Sequence, residues 1–317
     1  MKNLRALLLA GFIGLGALAF FASRSDARPD MVTKIADGVW FREGNLSLGH
    51  CNNTIIEMKD YLIVVDANFP SGARLVMADA KKVSSKPVKY VFDTHHHGDH
   101  AYGNAVWTEA GATTLAYQGV AEEMKRREPT RWQAAAKTRK DVAELNRDSV
   151  EPPKQTFDKK MFVLSDSTRR VEFHFFGWAH TRGDGFVYLP KEQVLCTGDA
   201  VVNGPYNALM DANVANWPKV IRAAQKLKIA TVLPGHGEPS GKELLAGQSL
   251  FLTELHKAVK GAIAQGKKLD DVKTSLQLPE SVKNWVGRSL PAQIQATYEE
   301  ISKGKPYGEI TAASNPN

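Results

Sequence analysis

Short runs of β-branched and aliphatic residues alternate with helical spacing over residues 31–116. Two runs, 53–58 and 61–65, flank a Lys-Asp pair that is typical of a turn, which predicts a β-hairpin. Residues 71–84 then place apolar side chains at helical spacing, and 88–92 form another apolar run. Strands that alternate with helices in this way predict a mixed α/β fold.

The second half of the chain repeats this alternation and then becomes helical. Four runs have the composition of strands: 171–176, 186–189, 193–197 and 230–233. From residue 242 onward the spacing is helical, which predicts a helical extension over 241–317 packed on a domain over 28–240. The last residues, 311–317, are predicted to form a frayed tail.

Residues 118–150 combine helix-forming residues with many charges. Eight lysines and arginines are mixed with six acidic residues in this segment. A nucleic-acid-binding surface needs charge of one sign on one face, and this segment does not provide it. The pattern therefore predicts a solvated helical insertion and no nucleic-acid partner.

The overall composition is that of a globular protein. The chain has 317 residues, of which 43% are hydrophobic and 24% charged, with a net charge of +7. These values exclude collagen-like, low-complexity and fully disordered chains. Only two cysteines are present, Cys51 and Cys196, too few for a disulfide scaffold. Their apolar surroundings favour buried thiols, and a disulfide between them is the alternative.

Residues 1–27 have the features of a secretory signal. Lys2 and Arg5 precede an apolar run over 6–22, and small residues follow at 25 and 27. The run falls short of the roughly 20 apolar residues of a spanning helix. We therefore expect cleavage near Ala27, export to the periplasm or medium, and no stable membrane association afterwards. The alternative is an inner-membrane anchor formed by an uncleaved signal.

The segment Thr-His-His-His-Gly-Asp-His, residues 94–100, follows an apolar strand. Residues two apart in extended chain point the same way, so His95 and His97 can bind one metal ion while the intervening histidine points away. Gly98 is expected to permit a sharp turn that brings Asp99 and His100 to a second position. Such ligands suit zinc, and an Asp oxygen beside imidazoles also suits iron or manganese.

Three later loops follow predicted strands and place glycine beside a potential ligand. They contain His180, Asp199 and His236. Because sites in α/β folds form beyond the carboxyl ends of strands, these loops are expected to converge on one cleft with the segment 94–100. Asp66 ends the predicted hairpin and is a candidate hydrogen-bond partner for a ligand histidine.

This pattern resembles the metallo-β-lactamase superfamily over roughly residues 31–240. The resemblance implies an αββα sandwich, in which two sheets pack face to face and helices cover the outside. It also implies two Zn2+ ions. The implied ligands are His95, His97 and His180 for the first ion, Asp99, His100 and His236 for the second, and Asp199 as a bridge between them.

The implied activity is hydrolysis of a small carbonyl ester, thioester, lactone or lactam by a metal-bridging hydroxide that Asp99 orients. β-Lactamases of this fold usually carry Cys, or no ligand, where this chain has Asp199, so thioesterases and lactonases are favoured. Two alternatives stay open. One is a β-lactamase like those of subclass B, and the other is an iron-dependent oxidoreductase of the persulfide dioxygenase type.

Overall fold

In the computed structural model, which describes residues 30–313, twelve strands form two β-sheets. The first sheet has seven strands in chain order: β1 (Val32–Ala36), β2 (Val39–Arg42), β3 (Asn53–Glu57), β4 (Leu62–Val65), β5 (Val88–Asp93), β6 (Thr113–Tyr117) and β7 (Gln155–Phe157). Strands β1 to β4 run antiparallel, as the hairpin prediction required. Strands β4 to β7 run parallel, so their carboxyl ends lie at one edge.

The second sheet has five strands in the order β12-β11-β10-β9-β8. These strands are β8 (Met161–Ser165), β9 (Arg170–Phe175), β10 (Gly185–Leu189), β11 (Val194–Cys196) and β12 (Thr231–Leu233). Strands β8 to β11 are antiparallel, and β12 adds to β11 in parallel. The loops after β11 and β12 therefore leave the sheet at the same end.

Ten α-helices surround the sheets in the described residues. They are α1 (Pro70–Val83), α2 (Gly98–Ala101), α3 (Asn104–Glu109), α4 (Gln118–Thr138), α5 (Lys140–Ala143), α6 (Trp217–Ala224), α7 (Glu243–Ala264), α8 (Leu269–Ser275), α9 (Leu290–Lys303) and α10 (Tyr307–Ala313). None of the helices between residues 30 and 313 combines the length and the apolar character that crossing a membrane requires.

The core is layered as the αββα prediction requires. Between the sheets, Phe92 of β5 packs on Phe173 of β9 with ring centroids 4.7 Å apart. Burial of one such side chain contributes roughly 1.5–3 kcal/mol. Outside the first sheet, α1 and α3 bury Val76 and Trp107, and outside the second, α7 buries Phe251. The sandwich is thus confirmed, with helices on both outer faces.

Some predictions along the chain were wrong. Strand β8 was not predicted, and residues 311–313 belong to α10, where the Thr311 hydroxyl donates to the carbonyl of Met210 at 2.9 Å. The segment 118–150 is helical as far as Ala143, but it is not a simply solvated insertion, because Glu123, Arg127 and Glu128 are buried. The signal-peptide prediction lies outside the described residues, and the domain boundary near residue 240 stays a prediction.

Candidate metal centre

Three histidines meet where β5 and β9 give way to loops. His95 and His97 follow β5 with ring centroids 4.8 Å apart. His180 lies in the loop after β9, and its Nε2 is 3.0 Å from Nδ1 of His97. One nitrogen from each of the three lies within 4.8 Å of the others, which is close enough for a single ion. The structure thus brings together the three residues predicted for the first metal.

A second group lies beside the first. Asp99 and His100 belong to α2, and His236 belongs to the loop after β12. Nε2 of His236 lies 3.0 Å from Oδ2 of Asp99, and Nε2 of His100 lies 3.5 Å from the same oxygen. One atom from each residue again falls within 4.8 Å of the others. These are the three residues predicted for the second metal.

Asp199 lies between the two groups, in a 3-10 turn (Gly198–Ala200) that follows β11. Its Oδ1 is 3.3 Å from Nε2 of His100, and its Oδ2 is 3.5 Å from Nε2 of His236. The same Oδ2 is 3.9 Å from Nε2 of His180. The carboxylate therefore faces both groups, as a bridging ligand requires. All seven predicted ligands form one cluster, and their binding of metal stays a prediction.

The polar atoms of this cluster fit a cation. Within residues 30–313, Nε2 of His95, Nε2 of His100 and Oδ1 of Asp199 are buried and have no hydrogen-bond partner. Buried polar atoms are seldom left in this state, since each unpaired atom is costly. The other nitrogen of His95, Nδ1, does have a partner, the hydroxyl of Thr94 at 3.1 Å. That division, with one nitrogen held and the other open, is typical of metal-binding histidines.

The electrostatics differ between the two groups. Burial lowers the pKa of His95 well below its usual value and that of His180 to about 3, so both imidazoles are neutral, as ligands must be. Burial also opposes charge on His236, but the carboxylates of Asp199 and Asp99 outweigh it and raise the pKa of this histidine. The negative charge beside the second group would stabilise a bound cation.

Hydrogen bonds to residues outside the cluster orient three of the motif histidines. The predicted partner Asp66 accepts from Nδ1 of His100 at 2.9 Å. His96 points away from the cluster, as predicted, and its Nε2 lies 3.1 Å from Oδ2 of Asp211. The same oxygen lies 2.8 Å from Nε2 of His97. Asp211 was missed by sequence reasoning, because it lies in an irregular loop between β11 and α6 and belongs to no motif.

Two glycines admit the close packing around these ligands. The chain turns at Gly98, as predicted, by beginning α2 there, and it does so without a positive φ. A Cβ at this position would lie 2.9 Å from Cε1 of Phe69. A Cβ on Gly235 would lie 2.1 Å from Oδ1 of Asp199. Glycine is thus needed at both positions for space, and the helix α2 itself directs Asp99 and His100 into the site.

The two cysteines take no part in a disulfide. Cys51 and Cys196 are both buried free thiols. Burial raises the pKa of each to about 12, so each is a neutral thiol. Cys51 lies beside Asp66 and His100, outside the set of seven ligands. The expectation of buried thiols is confirmed.

Comparisons with known proteins agree with this geometry. The profile described as "Metallo-beta-lactamase superfamily" matches residues 46–236. Solved metallo-β-lactamases from Hirschia baltica and from Pseudomonas aeruginosa (FIM-1, in its mono-zinc form) each superpose with a TM-score of 0.57. They are 21% and 22% identical to this chain, cover 71% of it in both cases, and are themselves covered over 98% and 96% of their lengths. At that identity the likeness establishes the fold.

One curated relative is named as a demethylase subunit and not as a β-lactamase. The 2,4-dinitroanisole O-demethylase subunit alpha of Nocardioides sp. (strain JS1661) is 26% identical over 212 residues, or 66% of this chain. The chain spans only 58% of the length of that relative. The family profile, by contrast, covers more than half of the present chain and includes every predicted ligand. The chain belongs to the metallo-β-lactamase superfamily, a family of metallo-hydrolases.

Proposed function

We propose that this protein is a dizinc hydrolase that cleaves a small carbonyl ester, thioester, lactone or lactam. The observation that carries the proposal is the position of Asp199. Its two oxygens lie 3.3 Å from Nε2 of His100 and 3.9 Å from Nε2 of His180, so one carboxylate reaches both groups of ligands. Two zinc ions held there would supply a hydroxide nucleophile at neutral pH and polarise the scissile carbonyl.

Asp99 is the residue we assign to proton handling. Its side chain is 26% exposed, against 8% for Asp199, so it is the carboxylate of the cluster that faces the solvent side. Oδ2 of Asp99 lies 3.0 Å from Nε2 of His236, which fixes its orientation. From this position the carboxylate can orient the nucleophile and hold the proton that it releases.

Two arguments narrow the substrate class. A carboxylate at Asp199 lowers the net charge of the cluster, which weakens the attraction for the carboxylate of a β-lactam. We also propose export to the periplasm or medium, where glutathione thioesters are scarce. Neutral esters and lactones are therefore the preferred substrates, with a β-lactam as the second choice.

A rate panel on the zinc-loaded protein tests the substrate class. It compares a lactone, a glutathione thioester, a cephalosporin, a phosphodiester and 2,4-dinitroanisole, the last because of the curated relative's name. We expect the lactone to react fastest and Asp99→Asn to lose most of that rate. A cephalosporin as the best substrate would support a β-lactamase, and inertness toward every compound would overturn the hydrolase proposal.

Elemental analysis tests the metal content independently of the substrate. We expect about two zinc ions per chain, and about one after Asp199→Ala, because the bridge contributes to both positions. Two tightly held ions in the variant would contradict the bridging role. One iron and no zinc in the native protein would support the alternative, an oxidoreductase of the persulfide dioxygenase type.

A further inference from the structure

A buried carboxylate outside the seven-residue cluster collects hydrogen bonds from two directions. From the motif, Nε2 of His97 lies 2.8 Å from Oδ2 of Asp211, and Nε2 of His96 lies 3.1 Å from it. From α4, Arg131 donates to both oxygens of Asp211 at 2.7 and 2.9 Å, and Nη1 of Arg127 lies 2.8 Å from Oδ1. Each oxygen of Asp211 therefore has at least two nitrogen partners, which hold the carboxylate in one orientation.

The backbone of this residue is held as well. Nε1 of Trp178 donates to the carbonyl of Asp211 at 2.8 Å. The next residue, Ala212, accepts from the N–H of Gly308 in α10 at 2.9 Å, and Arg127 donates to the carbonyl of Gly308. The insertion helix and the last helix of the described chain thus both secure the loop that carries Asp211.

This carboxylate determines which nitrogen of His97 is free. Because Nε2 donates to Asp211, Nδ1 carries the lone pair, and Nδ1 is the atom 3.0 Å from Nε2 of His180. A partner that fixes the tautomer and ring orientation of a ligand histidine raises its affinity for metal. Asp211 itself lies outside the cluster, so it acts through His97.

We propose that Asp211 is a positioning residue for the metal ligand His97, and that Arg131 and Arg127 of α4 hold it in that role. The insertion, which the sequence predicted as a solvated surface, is then part of the machinery that sets the affinity of the first metal position. The inference rests on the proposed function, because it requires that His97 binds a metal ion.

Four variants test it, all measured on the full chain. Asp211→Asn removes the charge and places an amide NH2 among donors, and Arg131→Gln removes the two-pronged contact. Arg131→Lys keeps the charge with a single point of contact. Arg126→Gln is the matched control, since Arg126 lies on the same helix and contacts Glu123, whose pairing with Arg127 does not depend on Arg126. Competition with a chromophoric chelator gives the zinc affinity, and the visible spectrum of the Co2+-loaded protein reports the geometry at the first position.

We expect Asp211→Asn to weaken the tighter zinc site by about 10- to 100-fold and to change the Co2+ spectrum. Arg131→Gln is expected to weaken zinc binding less than Asp211→Asn does, and Arg131→Lys to weaken it less than Arg131→Gln does. Arg126→Gln is expected to leave the zinc affinity and the Co2+ spectrum unchanged. Equal zinc affinity and spectrum in Arg131→Gln, Arg126→Gln and the native protein would overturn the proposal, even if Asp211→Asn failed to fold. A native protein that binds no zinc would instead overturn the proposed function.

Discussion

Asp66 joins β4 to the metal-binding motif through His100. Its Oδ2 accepts from Nδ1 of His100 at 2.9 Å, while its Oδ1 accepts from the backbone N–H of Thr94 at 2.8 Å. One carboxylate thus orients a predicted ligand of the second position and the start of the segment that carries His95 and His97. The hairpin strand and the motif are 28 residues apart in sequence, and this contact fixes their relative position.

Asp66→Asn is expected to weaken zinc binding at the second position by about 10- to 100-fold, because the amide orients His100 less firmly and carries no charge. Dialysis against a chelator followed by elemental analysis measures this loss. Asp37→Asn is the control, because the side chain of Asp37 is fully exposed and pairs with Lys34, which is not part of the cluster. Equal retention of zinc by the two variants would contradict the role given to Asp66.

Acidification is expected to release the second-position ion first. Burial lowers the pKa of His180 to about 3, whereas carboxylates raise the pKa of His236 above the usual 6.5. Protons therefore compete for His236 from near neutral pH downward, and for His180 only in strong acid. As the pH falls, we therefore expect about two ions per chain, then about one, and finally none, measured after dialysis at each pH. Simultaneous loss of both ions would refute this order.

Gly235→Ala is expected to displace the Asp199 carboxylate, because the added Cβ would lie 2.1 Å from Oδ1 of that residue. We expect loss of bound metal and a cost of about 1–3 kcal/mol in the free energy of unfolding. Gly261→Ala in α7 is the control, since nothing lies within 4 Å of its added Cβ. This control should gain roughly 0.5–1 kcal/mol, because alanine is the better helix former. Thermal unfolding and elemental analysis of both variants decide the matter.

Both cysteines are expected to be unreactive toward a thiol reagent in the native protein and reactive after denaturation. They are buried free thiols, and burial raises the pKa of each to about 12, which removes the reactive thiolate. Titration with a chromogenic disulfide, with and without guanidinium, measures this directly. No reaction in denaturant without a reductant would reveal a disulfide and contradict the structure.

The clustering of the seven predicted ligands could be anticipated from the chain, because each follows an apolar strand and lies beside a glycine or within the His-rich segment. The contacts that hold these residues in place could not be predicted from the chain. Asp211 has no flanking signal, and its role depends on Arg127 and Arg131, which are separated from it by 84 and 80 residues. Mixed charge on α4 indicated a solvated helix, since sequence does not reveal which charged side chains are paired and buried.

Two elements, β8 and the end of α10, were not predicted for similar reasons. The strand β8 has partly exposed apolar residues and pairs with β9, so its stability depends on a neighbour that a local pattern does not contain. The end of the chain is polar and short, yet α10 is ordered by contacts with the loop at Met210 and Ala212. Tertiary contacts thus override weak local propensity at both places.

The hydrogen bond from Gly308 to Ala212 has a consequence for the order of assembly during synthesis. The predicted ligands lie between residues 95 and 236, but the helix that closes behind Asp211, α10, is synthesised after all of them. Domains fold as their chain emerges, so the sandwich can form before that helix is available. The predicted metal position nearest His97 is therefore expected to reach its final form only after α10 has been synthesised and has packed against the loop that carries Asp211.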